Sequence, residues 1–172
     1  MFIDRIVSFL PSATELLYEF GVEDKLFGVT HECKYPDSAK LKPQVISSVI
    51  NSDELTSNEI NTATCTLLRD GKDIFTLNEQ NLKDANPDLI ISQETCEVCA
   101  AYTAQVKNAI DILVDKLPET YKLKLVYFDS DCGQVTVCKE LDTLKGKEQH
   151  NALKAQVNIL LPMGNTPLTE AI

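Results

Sequence analysis

Tryptophan is absent from this 172-residue chain, aromatic residues make up only 6%, and there are just two histidines. With so few flat rings, a surface on which nucleic-acid bases stack is not expected. Basic residues are also in short supply. Sixteen lysines and arginines face 26 aspartates and glutamates, a net charge of −10, and so acidic a surface repels a phosphate backbone, so no nucleic-acid partner is expected. Long apolar runs are missing as well. The longest, near residues 88–92 and 158–163, fall far short of the roughly 20 residues that cross a bilayer, so no membrane insertion is expected. The first residues lack a basic stretch and a small-residue cleavage site, and residues 5–10 already read as a core strand. The chain as written is therefore expected in the cytoplasm. No glycine-rich loop of the dinucleotide or P-loop form occurs. With His31 and His150 the sole histidines, no Ser/His/Asp set can be picked out, and no enzyme is expected. His150 sits among Lys147, Glu148 and Gln149 and reads as a solvated helix residue.

What is present suffices for a packed interior, since hydrophobic residues reach 44%. The length suits one domain, or one domain with an appendage. Residues 5–10 form a short apolar run closed by Pro11. Ser12, with Glu15 three residues on, reads as a capping box opening a helix that carries Leu16, Leu17 and Phe20 on one face and stops at Gly21. Residues 26–30 form a second strand, so strand, helix and strand fit within thirty residues and predict a parallel pair. A short extended segment is expected at 45–49. Helices are predicted over 57–69 (Ile60, Thr64, Leu67 and Leu68 on one face) and 78–85, the second capped by Asn78. Extended segments at 75–77, 89–92 and 123–128 and a helix over about 100–116, with Val106, Ala109, Ile110 and Leu113 inward, complete the alternation. The pattern predicts an α/β fold, a Rossmann-like and mainly parallel sheet with helices on both faces. Residues 1–129 form the expected main lobe. Residues 130–158 read as helical from Gln134 to Val157 with a break at Gly146, and residues 159–172 as an irregular tail.

Cysteines occur at 33, 65, 96, 99, 132 and 138. A domain of this size and regularity does not need disulfide staples. Cys65 and Cys138 lie in apolar helical patterns and are expected in the core. Cys33, Cys96 and Cys99 lie in loops beside charged residues, and those loops leave the carboxyl ends of predicted strands, where open parallel sheets bind ligands. Three such loops stand out: Pro11, Ser12, Ala13 and Thr14; His31, Glu32 and Cys33; and Gln93, Glu94, Cys96 and Cys99. His31, Cys33, Cys96 and Cys99 together make a His/Cys3 set suited to zinc, with Cu(I) or an iron–sulfur cluster as alternatives. The same groups could instead line a metal-bearing organic ligand, or be reduced thiols without a ligand. Redox catalysis by Cys96 and Cys99 fits less well, because Glu94 and Glu97 place negative charge beside thiols that would have to ionise. Pro11 to Thr14 could cradle an anion or simply cap a helix.

Three stretches carry a resemblance. Arg5-Ile6-Val7-Ser8-Phe9-Leu10-Pro11-Ser12-Ala13-Thr14-Glu15, Phe27-Gly28-Val29-Thr30-His31-Glu32-Cys33-Lys34-Tyr35-Pro36 and Pro87-Asp88-Leu89-Ile90-Ile91-Ser92-Gln93 resemble, in this order, the periplasmic-binding-protein family for cobalamin and ferric siderophores. These are the solute-binding partners of ABC importers, often periplasmic or at the cell surface. The His-Glu-Cys and Cys-Glu-Val-Cys pair is similar to a cobalamin-binding subgroup. The resemblance spans about residues 5–128. It implies one lobe of the class III binding-protein fold followed by a bridging-type helix, with residues 159–172 too few to supply the second lobe, as in a truncated relative. It implies a ligand (cobalamin, or a ferric siderophore) lined by the loops named above. His31 or a thiolate would approach the metal, and Ser12, Thr14 and Gln93 would bond polar groups of the ligand. It also implies an importer permease as partner, with Glu79 a docking residue. The alternative is a cytosolic zinc, iron–sulfur or thiol-redox protein using His31, Cys33, Cys96 and Cys99.

Overall fold

The computed structural model describes residues 3–92, 100–116, 126–128, 135–137 and 146–159. The chain divides into two compact units, Met1–Gln93 with Ala101–Ala109, and Glu94–Ala100 with Ile110–Ile172. The first unit is α/β and holds a five-stranded, mostly parallel sheet. Its strands are β1 (Ile6–Ser8), β2 (Leu26–Thr30), β3 (Gln44–Ser48), β4 (Phe75–Leu77) and β5 (Leu89–Ile91), in spatial order β4-β3-β2-β1-β5. All pairs are parallel except β3 with β4, which is antiparallel. All three residues of β1 are buried, as expected of a central parallel strand covered on both sides. Gly28 of β2 has Val45 and Val7 packed against it, so closely that a Cβ there would lie 2.7 Å from Val45 Cγ1.

Helix α1 (Pro11–Glu19) packs on β1 and β2. Its N-terminus differs from the expected capping box. Leu10 is the N-cap and Pro11 begins the helix. The fixed φ of proline suits the first helical position, where its missing N–H has no partner to lose. Ser12 is thereby drawn into the first turn. The buried stripe is Ala13, Thr14 and Leu17, whereas Leu16 and Phe20 are exposed, Phe20 at 74%. The inward face is thus 13, 14 and 17 instead of the expected 16, 17 and 20. Leu17, Ile6, Leu26, Val29 and Cys33 form a buried cluster, with Tyr18, Val22, Leu89 and Ile91 against it.

Helix α2 (Ser57–Arg69) has the capping box in which Thr56 and Glu59 exchange bonds. The Thr56 hydroxyl bond, and after it the Thr56 backbone, holds the Glu59 carboxyl below the usual carboxylate range. No residue of α2 is fully buried. Its half-buried stripe is Ile60, Ala63, Thr64 and Leu67, while Leu68 and Cys65 are exposed, so Cys65 is not the expected core residue. Cys138 lies outside the described residues.

Helix α3 (Glu79–Ala85) is capped by Asn78, whose side chain accepts from Asn81 N–H, and ends on Asn86 in the left-handed region at φ 41°. It packs on β1, β2 and β3 and seats Leu82 and Ala85 in the core. Arg5 ties this helix end to the start of β1. Its Nε donates to the Ala85 carbonyl at 2.6 Å and its Nη2 to Asp84 O at 3.0 Å. The guanidinium also lies 3.7 Å from the centre of the Phe27 ring. Carbonyls at a helix C-terminus lack partners within the helix and carry the negative end of its dipole, so a cation there is favourable. Arg5→Met is expected to keep the stem and lose both bonds, at about 2 kcal/mol. Urea unfolding checks this, and an unchanged midpoint would mean that water serves those carbonyls equally well.

Helix α4 (Ala100–Val114) buries Gln105, Ala109 and Val114, with Val106, Ile110 and Leu113 half-buried. In the second unit, β6 (Val126–Phe128) pairs antiparallel with β7 (Val135–Val137) as a two-stranded ribbon, and α5 (Gly146–Ile159) follows. The expected helix from Gln134 is thus a strand at its start, and β6 is not part of the parallel sheet. Val135-Thr136-Val137 is β-branched throughout, which favours extended backbone over helix. His150 is buried at 6% instead of solvated, beside the buried Gln149. Residues 123–125, expected to be extended, and residues 138–145 and 160–172, expected as further helix and an irregular tail, lie outside the described residues. Among the described residues, no helix is long and apolar enough to cross a membrane.

Candidate ligand site at the carboxyl edge of the sheet

The strand order defines the edge that matters. From β1 the chain proceeds outward through β2, β3 and β4, and then returns to place β5 on the other side of β1. The reversal between β1 and β5 is a topological switch point, beside which the loops leaving two neighbouring strands diverge and open a crevice. Phe9 N–H donates to Ile91 O at 2.9 Å and locks the two strand ends together. The Ser8 hydroxyl donates to Leu10 O at 2.9 Å and turns the chain into α1.

Of the first predicted loop, Pro11 is half-buried, Ser12 is exposed, and Ala13 and Thr14 are buried. Thr14 Oγ1 donates to Leu10 O at 3.3 Å and lies 3.1 Å from Cys33 Sγ. The hydroxyl has one hydrogen. It can go to Leu10 O or to Sγ, and either atom can be the donor in the Thr14–Cys33 contact. Cys33 is 3% exposed and packed in the apolar cluster with Ile6, Leu17, Leu26 and Val29.

His31 stands just past the end of β2. Its backbone N–H donates to Ile46 O at 3.0 Å, which fixes the chain beside β3. Its ring lies 5.9 Å from the Phe75 ring, tilted by 45°. Nε2 is 3.9 Å from Glu32 Oε1, and among the described residues Nδ1 is buried without a hydrogen-bond partner. Glu32 is exposed and is held by its backbone N–H on Thr30 Oγ1 at 2.9 Å. The structure thus brings Thr14 and Cys33 into contact and sets His31 against Phe75. Gln93, Glu94, Cys96 and Cys99 lie outside the described residues. Among the described residues, no three His, Cys, Asp or Glu side chains are grouped so as to hold a metal ion. Glu79, the expected docking residue, opens α3 and pairs with Lys83 at 2.8 Å.

Two further residues lie along this edge, Phe75 against the His31 ring and Gln105 bonded to Phe75. Phe75 begins β4, and because β4 runs against β3 its first residue pairs with Ser48, the last of β3. Phe75 therefore sits at the carboxyl edge of the parallel strands. Gln105 of α4, 2% exposed, donates from Nε2 to Phe75 O at 2.9 Å, while its Oε1 is buried without a partner among the described residues. The sequence signal for Gln105 was available: a polar residue one turn before Ala109, on the stripe that α4 buries. No family model, curated protein or solved structure matches the chain.

Proposed function

We propose that this chain binds a metal-bearing small molecule, cobalamin-like or ferric-siderophore-like, without catalysing a reaction on it. It would do so as a solute-binding component of an ABC importer. The observation that carries the reading is the switch point between β1 and β5. The β1 exit at Phe9 to Pro11 and the segment after Ser92, which bears Cys96 and Cys99, leave from adjacent strands, with His31 one strand beyond. These are also the stretches that resemble the cobalamin and siderophore binding proteins. In the finer reading the sheet is one Rossmann-like lobe. Right-handed crossovers that leave β1 in opposite directions would place α1 and α3 on opposite faces, and α5 would begin a bridging helix. Exposed acidic residues, Glu79 among them, would meet basic permease loops.

In this site His31 is the residue best placed to approach a metal centre, since a neutral imidazole ligates readily. Cys33 would first need to turn away from Thr14 and out of the apolar cluster. The test is an anaerobic preparation assayed for zinc and iron and titrated with aquocobalamin, whose axial water an imidazole or thiolate can replace. A saturable shift in the corrin absorbance, weakened in His31→Ala, is the expected result. Stoichiometric zinc or iron that disappears in Cys96→Ser/Cys99→Ser, with no corrin shift, would instead establish the metal-binding alternative.

A further inference from the structure

Helix α2 buries little for its length. None of its 13 residues is fully buried, whereas α1, α3 and α4 each seat at least two residues in the interior. Its composition does not compensate. Two asparagines, three threonines, a serine and a cysteine fill seven of the places, and all of these rank low as helix formers. A helix of this length is marginal in water even with alanine, and helices in proteins owe most of their stability to one packed face. In α2 that face is only the half-buried stripe of Ile60, Ala63, Thr64 and Leu67. The capping box supports the first turn alone. A second packed face would account for the rest.

The exposed side offers one. Asn61, Cys65 and Leu68 follow at the four- and three-residue steps that line up one helix face, and all three are exposed. Cys65 Sγ lies 3.9 Å from Asn61 Oδ1, one turn away. Beside them, the hydroxyls of Thr62 and Thr66 donate to Asn58 O and Thr62 O, each at 2.8 Å, so their hydrogens are spent within the helix. The strip carries no charge. The acid of the helix, Glu59, holds the Thr56 cap, and its base, Arg69, lies 3.3 Å from Asp70. The exposed apolar pair on α1 differs in this respect, because Leu16 and Phe20 stand beside the exposed Glu15 and Glu19.

We propose that α2 pairs with α2 of a second copy of this chain through the strip of Asn61, Cys65 and Leu68. Charge selects that occupant. At a net charge of −10 two copies repel, and an uncharged strip is where they approach at least cost. A two-fold interface must also match itself. The Asn61 amide both donates and accepts and so meets its own kind, which a face of one sign cannot do. Cys65 lies between Asn61 and Leu68, so it falls beside the axis whether the helices cross parallel or antiparallel. A helix of 13 residues is about 20 Å long, too short to cover the roughly 800 Å² per partner of a standard interface. The pair is therefore weak, with a dissociation constant on the order of 10 μM. This pairing does not depend on the ligand reading above.

The experiment uses the full chain, reduced, in sedimentation velocity over concentrations on both sides of that constant. Hydrogen exchange of peptides covering residues 57–69 is followed in parallel. Expected are a monomer that becomes a dimer as concentration rises, and protection of α2 that rises in step. Leu68→Glu brings like charges together across the axis and should weaken the dimer by about tenfold or more. If its far-ultraviolet circular dichroism departs from the parent, Asn61→Glu, at an exposed position, replaces it. A short bismaleimide, which joins two thiols without oxidation, should link the copies, and Cys65→Ser should remove that product. A monomer at every concentration overturns the proposal, as does α2 protection that ignores concentration. A dimer that both charge variants leave intact places the association on another surface and overturns it as well.

Discussion

Phe9→Ala is expected to lower the stability of the protein by about 3–5 kcal/mol, the largest effect of any single truncation at the ligand edge. Phe9 is 1% exposed, directly follows β1, and supplies the backbone N–H that bonds Ile91 O across the switch point. Removing the ring takes away its transfer free energy and opens a cavity among side chains anchored by the sheet, which can collapse only in part. Against the ~5–15 kcal/mol that holds a domain together, such a loss is a large share. The urea midpoint should fall with little change in slope. A loss under about 1 kcal/mol would mean that the edge is loose enough to close over the gap, and the edge would then be a poor platform for a ligand.

The second large effect concerns Gly28. Gly28→Ala places a methyl where Val45 Cγ1 would be 2.7 Å away and Val7 Cγ2 3.2 Å. Alanine restricts the unfolded chain more than glycine does, which favours folding by about 0.4–1 kcal/mol. Overpacking costs about 1–3 kcal/mol. Overpacking wins here, because both neighbours are buried valines on flanking strands, Val45 and Val7 each at 0% exposure, and a β-branched side chain has few rotamers through which to retreat. Val45→Ala creates the missing space. The double variant should therefore be more stable than the sum of the single losses predicts, by about 1 kcal/mol or more. Strict additivity in urea unfolding would contradict the close approach.

The elements that could be read from the sequence were those with two concordant signals. Residues 26–30 carry an apolar run and end before a loop, and β2 has those bounds. Residues 57–69 carry helical spacing with Ile60, Thr64 and Leu67 on one face, and α2 has those bounds too, its Thr56–Glu59 capping box being a finding of the structure. Where signals competed, local chemistry decided. Pro11 displaced Ser12 as the first determinant of α1, and Val135-Thr136-Val137 took a strand where a longer apolar spacing suggested helix. The antiparallel direction of β4 had no signal in a three-residue strand. Without that direction the position of Phe75 cannot be known, and without Phe75 the buried amide of Gln105 has no evident purpose. The three loops of the candidate site were legible because each combines a strand end with unusual donor groups. Spacing, however, does not say which way a side chain turns, and Cys33 turns toward Thr14 and the core.

The reversed direction of β4 has a consequence for how such a site can change. Four strands of the sheet deliver chain to the carboxyl edge at their ends, whereas β4 receives it there at its beginning. The edge is thus supplied by outgoing connections and by one incoming connection, the turn at Gly71 that leads from α2 to Phe75. Lengthening or shortening that turn would move an aromatic ring along the edge without altering any residue of an outgoing loop. Two separately adjustable parts of the chain therefore shape one surface. Under the proposed binding role, a change of ligand preference would then need only the incoming connection to change, while the loops that carry histidine and cysteine stay as they are.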